Sequence, residues 1–205
     1  MPPQQTLQDG EDSVVSGTRR CIAIVGSHRI DDRAFSCLSR LAESLCLESQ
    51  VVISGGEKQG ADLAAETGAA QVRGGENLVL YLSPQFHRFN QYPPQAQLYF
   101  VPVGPGSHLT PSWQLAWDQA LPEQRGKYWE RFWRNAYIAM AADIIFEWRI
   151  DGQSHSTEHL LRCARKRSKP VVNCREISAT QPWTSEEEFV EVAQMVLDQL
   201  MGPNR

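Results

Sequence analysis

Val51-Val52-Ile53-Ser54-Gly55-Gly56-Glu57-Lys58-Gln59-Gly60-Ala61-Asp62 is an apolar run that ends in glycines and leads straight into Leu63-Ala64-Ala65-Glu66-Thr67-Gly68-Ala69-Ala70, a stretch of helical composition. A strand that closes on glycines and feeds a helix makes a cradle for an anion. The glycines let backbone N–H groups come close, and the helix N-terminus favours negative charge. The segment therefore points to nucleotide binding.

A second unit of the same kind precedes it. Cys21-Ile22-Ala23-Ile24-Val25 is apolar and rich in β-branched residues, and it ends at Gly26-Ser27-His28-Arg29 before another amphipathic stretch. Two strand–glycine–helix units in succession open a Rossmann-like βαβα sheet, in which ligands sit beyond the carboxyl ends of the strands. Apolar runs predict strands near 21–25, 51–54, 77–82, 98–103, 143–149 and 170–174. Helical periodicity predicts helices near 33–47, 61–71, 113–120, 126–141, 157–167 and 185–201. The expected fold is α/β, a mostly parallel sheet with helices on both faces. An irregular proline- and aromatic-rich insertion is expected near 83–111, where Pro84, Pro93, Pro94, Pro102, Pro105 and Pro111 exclude a long helix.

Size and charge narrow the partners. At 205 residues and 41% hydrophobic content the chain can bury one good core, and its net charge of -4 supplies no general basic field for coating nucleic acid. The five cysteines, Cys21, Cys37, Cys46, Cys163 and Cys174, contain no CxxC pair and read as buried reduced thiols, which implies a cytoplasmic location. No run is long enough to cross a bilayer, and residues 1–18 read as a flexible tail without a signal pattern. A nucleotide or nucleotide-derived small molecule is the expected partner. Single-stranded DNA and a second copy of the chain are the alternatives; no membrane, metal or cofactor is called for.

The glycine loop lacks the usual phosphate-transfer parts. Ala61-Asp62 stands where a Walker A loop needs Lys and Ser/Thr, and Gly26-Ser27-His28-Arg29 supplies no GxGxxG fingerprint. Asp62 at the helix start reads first as a cap and second as an acceptor for a ribose hydroxyl. In the predicted helix 126–141, Trp129, Trp133, Ala136 and Met140 share a core-facing stripe, while Arg134 and Asn135 project elsewhere. Taken alone, that pair reads as a solvated face; beside the glycine loops, Arg134 is a fork for a phosphate. Ser154, Ser156 and Thr157 again follow a strand and precede a helix, so they serve either as a second anion site or as a simple N-cap. The run Arg162, Arg165, Lys166, Arg167, Lys169 reads as a solvated helix end before it reads as a nucleic-acid track. Glu57, Asp62 and Glu158 are the carboxylates available for acid–base work, and whether the chain is an enzyme at all is left open.

Taken in order, Ile24-Val25-Gly26-Ser27-His28-Arg29, Ile53-Ser54-Gly55-Gly56 with Gly60-Ala61-Asp62, Arg134-Asn135 with Ala142-Asp143, and Ser156-Thr157 with Lys169-Pro170-Val171 resemble the SLOG superfamily. That group includes the Smf/DprA DNA-processing proteins, the YspA-like branch and the LOG phosphoribohydrolases; the YspA-like and DprA-like branches are the nearest in pattern. The resemblance implies one nucleotide-binding domain over 19–205, C-terminal helix included. Its crevice would be built by Gly26, Ser27, Arg29, Ser54, Gly55, Gly56, Gly60, Ala61, Asp62, Arg134, Asn135, Ser154, Ser156 and Thr157. The PGGxGTxxE signature of the LOG enzymes is absent: Leu160 stands at its glutamate position and Glu158 falls two residues early, on another helix face. A nucleotide-binding module is thus the first expectation, with a DprA-like single-strand mediator and a nucleotide N-glycosidic or phosphate-ester hydrolase as the others.

Overall fold

The computed structural model describes residues 19–84, 91–102, 107–126, 129–150, 155–180 and 185–202. The tail expected over 1–18, residue Ser154 and part of the proline-rich insertion lie outside them. Six strands, β1 (Cys21–Gly26), β2 (Val51–Ser54), β3 (Leu78–Leu82), β4 (Gln97–Phe100), β5 (Ile144–Trp148) and β6 (Val171–Asn173), form one sheet in the order β4-β3-β2-β1-β5-β6. Every adjacent pair is parallel. The helices are α1 (Asp32–Leu47), α2 (Gly60–Gln71), α3 (Pro111–Gln119), α4 (Trp129–Ala141), α5 (His155–Lys166), α6 (Cys174–Thr180) and α7 (Glu186–Met201).

A parallel strand buried on both faces needs apolar side chains at every position, and β1 supplies them. Alternation then splits the sequence between two cores. Ile22 and Ile24 pack with Leu38, Leu41, Leu45, Ala64 and Phe189 under α1, α2 and α7, while Ala23 and Val25 pack with Trp133, Ala136, Leu160 and Leu161 under α4 and α5. The chain runs outward from β1 to β4, then returns through α3 and α4 to lay β5 on the opposite side of β1. The strand order therefore reverses between β1 and β5, and the two ends of a crevice are set there: Gly26 pairs with Trp148 at the carboxyl ends of both strands.

The expected elements are present with small shifts. The strand read as 98–103 ends at Phe100, and that read as 170–174 ends at Asn173, where the short helix α6, unforeseen in the sequence, begins. Pro111 belongs to α3 rather than to the irregular insertion, because proline is tolerated at the first helical position; Thr110 caps the helix by accepting from Trp113 N at 3.3 Å. All five cysteines are free and burial pushes their thiols up, Cys37, Cys46 and Cys163 to about 12. Trp133 is buried, whereas Trp113, Trp117 and Trp129 are half-buried; Trp113 and Trp117 stack with centroids 4.9 Å apart and Trp129 meets both edge-on. No described helix is long and apolar enough to cross a membrane.

Candidate functional site

Backbone packing brings the loops after β1, β2 and β5 together. Ser27 is fully buried and acts as their brace: its N–H donates to Trp148 O at 2.9 Å, its Oγ accepts from Ile150 N at 2.8 Å, and its carbonyl accepts from Ala61 N at 3.2 Å. Two glycines make this approach possible. A Cβ at Gly26 would overlap the Trp148 carbonyl oxygen and stand 2.9 Å from the Ala61 Cβ. One at Gly60, whose φ is +73°, would overlap the Ser27 carbonyl oxygen and stand 2.6 Å from the His28 Cα. Thr157, in the first turn of α5, donates its hydroxyl to Gly26 O at 2.9 Å and so fixes α5 over the end of β1.

Between these loops lies a narrow cleft that opens to solvent. Of the residues singled out in the sequence, Gly26, Asp62, Arg134, Asn135, Ser156 and Thr157 line it, together with Glu57. His28, Ile138 and Leu160 also line it, and these were missed. Ile138 lies one helical turn beyond Arg134, and Leu160 one turn beyond Ser156 and Thr157, so helical spacing from the expected residues points to both. Ser27, Ser54, Gly55, Gly56, Gly60 and Ala61 form the wall behind the cleft rather than its surface. Arg29 is exposed and does not line it; His28 takes that place. Glu158 is also off the cleft, paired with Arg149 and, at 3.4 Å, with Arg165.

Arg134 is not on a solvated face. It is 5% exposed, because α4 is wedged between the sheet, α5 and the glycine loop and buries residues all round its middle. Nη1 donates to Gly55 O and to Glu57 Oε1, both at 2.8 Å, while Nε finds no partner. Asn135, 1% exposed, donates through Nδ2 to the Ser156 carbonyl at 2.8 Å and to the Ser156 Oγ at 3.0 Å. The Ser156 hydroxyl proton therefore remains to donate elsewhere.

The glycine loop holds a carboxylate of its own. The N-cap of α2 is Gln59, so Asp62 stands at the third helical position and is not the cap that its place in sequence suggested. Its side chain turns back against the loop, facing the backbone N–H groups of Glu57 and Gly55, and a Cβ on Gly55 would stand 2.6 Å from its Oδ2. Burial pushes the Asp62 carboxyl up to about 7; the Arg134 guanidinium opposes this, the Glu57 charge adds to it, and the two N–H groups oppose it. At Glu57 burial also acts upward, but Arg134, with help from Arg131 at 3.9 Å, outweighs it and holds the carboxyl below its usual range.

Asp62 thus binds its proton more tightly when folded than when unfolded. Between about pH 4 and pH 7 the native state carries the extra proton, so the contribution of this group to stability falls as pH rises through that window, by at most about 4 kcal/mol. Chemical denaturation at pH 5 and pH 8 should show wild type losing stability relative to Asp62→Asn, in which the titration is removed. Parallel losses in the two proteins would refute a raised Asp62.

Gly56 has φ +70°, and a Cβ there would overlap Leu82 Cδ2. Enlarging it would disturb the β3 packing as well as any ligand, so Gly56→Val is no clean probe of binding. The basic run is divided: Arg162 donates to Gln119 O and Gln124 Oε1, both at 2.8 Å, and Arg165 turns to Glu158, which leaves no continuous cationic track along α5. Among the described residues, no group of three or more His, Cys, Asp or Glu is placed to hold a metal ion.

Neither a comparison with protein-family models nor one with curated proteins returns a match. Solved structures do match. The molybdenum cofactor carrier protein of Chlamydomonas reinhardtii superposes with a TM-score of 0.55 at 13% identity, over 90% of this chain and 99% of that one. The molybdenum cofactor binding protein of Rippkaea orientalis gives 0.52 at 17%, over 87% and 98%. DNA processing protein A of Helicobacter pylori, described for its single-stranded DNA binding mode, gives 0.52 at 19%, over 86% and 81%. The chain shares the Rossmann-like fold of these structures. In this chain the cleft lies at the β1/β5 switch point.

Proposed function

We propose that the protein is a ligand-binding module that takes a nucleotide or nucleotide derivative in the cleft between β1 and β5. The observation that carries this reading is the convergence, on one opening at the switch point, of a buried arginine–asparagine pair with the first turn of α5 and the glycine loop before α2. A guanidinium kept out of water at 5% exposure is costly unless its geometry serves a purpose. Here Arg134 ties Gly55 and Glu57 into the cleft wall, and Asn135 orients the Ser156 hydroxyl. Donors and acceptors then stand side by side, as a sugar with its attached phosphate requires. The molybdenum cofactor proteins and DNA processing protein A, built on the same fold, bind ligands of related polarity, which supports the reading without choosing among them.

Thermal unfolding against mono-, di- and cyclic nucleotides, ADP-ribose, NAD and a short single-stranded oligonucleotide tests it. A true ligand at about 100 times its Kd adds roughly 2.7 kcal/mol, a rise of about 5–10 °C. A shift with one small nucleotide is expected, lost in Asn135→Ala. A shift with the oligonucleotide alone would replace this reading by the DNA mediator.

A further inference from the structure

The glycine loop after β2 has the form of an anion cradle, yet the place of the anion is filled from within the chain. The Asp62 carboxylate is turned onto this loop, so that a Cβ at Gly55 would stand 2.6 Å from its Oδ2, and the Gly56 N–H points to Ser54 Oγ at 3.5 Å. The Arg134 Nη1, the cation that would complete such a cradle, is engaged by Glu57 and the Gly55 carbonyl. The loop side of the cleft therefore presents carboxylate oxygens, which accept hydrogen bonds and repel further negative charge. We propose that Asp62 is a specificity residue that closes the glycine loop to polyphosphate chains, so that the cleft takes ligands which bring hydroxyl or amino groups to the loop and carry no di- or triphosphate there.

The proposal rests on the nucleotide-binding reading but makes a separate demand. An incoming diphosphate would have to displace a carboxylate that is tethered to α2 and neighbours a second one, Glu57, with Arg134 as their common counter-ion. Hydroxyl groups meet no such barrier, since both carboxylates are acceptors. Asparagine at position 62 removes the charge and leaves Arg134 with one carboxylate rather than two, and the shorter serine also withdraws the acceptor from the loop.

The test is calorimetric titration of the full chain at pH 8 with AMP, ATP, GMP, GTP and inorganic pyrophosphate, for wild type, Asp62→Asn and the smaller Asp62→Ser. Wild type is expected to bind a monophosphate at least tenfold more tightly than the matching triphosphate, and to ignore pyrophosphate. The folded variants are expected to gain at least tenfold in affinity for triphosphate and pyrophosphate. Wild type binding a triphosphate as tightly as its monophosphate would overturn the proposal and leave the nucleotide reading standing. A folded variant that still ignores pyrophosphate would overturn it too. If wild type binds no nucleotide while the variants acquire pyrophosphate, the closed cradle is upheld and the nucleotide reading fails.

Discussion

Arg134→Met is expected to lower the melting temperature by roughly 10 °C at pH 8, and by clearly less at pH 5. The side chain is a near match in length and packing, so the loss is electrostatic. Taking away the guanidinium removes the main counter-ion of Glu57 and Asp62 in a site whose side chains are 12% exposed or less, and breaking a buried pair from one side costs about 3–5 kcal/mol. For a chain of this size each kcal/mol is worth about 2–4 °C. At pH 5 Asp62, pushed up to about 7 even beside Arg134, holds its proton, and only the Glu57 charge remains, with Arg131 at 3.9 Å as its counter-ion. Calorimetric or optical melting at both pH values checks this. A drop of the same size at pH 5 and pH 8 would show that the arginine is needed for packing and not for its charge.

Gly68→Ala is expected to be the most damaging of the conservative changes, costing about 3 kcal/mol or more. Helix propensity alone predicts the opposite, a gain of about 1 kcal/mol, because alanine is the better helix former. In the fold, however, Gly68 lets α2 lie directly on α1: a Cβ there would overlap the carbonyl oxygen of Ser39 and stand 2.6 Å from its carbon and 2.9 Å from its Cα. These are backbone atoms of a helix interior and cannot rotate aside. The two helices would have to separate, and the Ser39 hydroxyl would lose its bond to Ala64 O at 2.9 Å. Gly126→Ala is the control, since nothing lies within 4 Å of a Cβ there; it should stay within about 0.5 kcal/mol of wild type. Urea denaturation of the two variants decides the matter, and equal stabilities would exclude the close helix contact.

Gly68 also shows where reading a sequence stops. Its neighbours mark a helix plainly, but nothing within the helix tells which glycine meets another backbone. Arg134 and Asp62 repeat the lesson at the cleft. Both stand out in the sequence, Asp62 between a strand and a helix and Arg134 within a helix beside its core-facing stripe, yet the fold gives each a different partner from the one its local setting suggests. The arginine that looked free to fork a phosphate is engaged by Glu57, and the aspartate that looked like a helix cap fills the loop it follows. His28 entered the cleft in place of Arg29, a one-residue choice made by the turn after Gly26.

The sequence by itself determined the six strands, every α-helix but α6, and the fold class. Alternating strand and helix periods, glycines at strand ends and β-branched runs are local signals, and they are sufficient because a parallel sheet must be apolar on both faces and must turn at its carboxyl ends. The tertiary structure alone decided what those ends contain. Burial raises the proton affinity of Asp62, close packing gives Arg134 its carboxylate partner, and the contact of α5 with β1 places Ser156 and Thr157 opposite them. Each of these depends on distances between residues far apart in the chain, which no local pattern encodes.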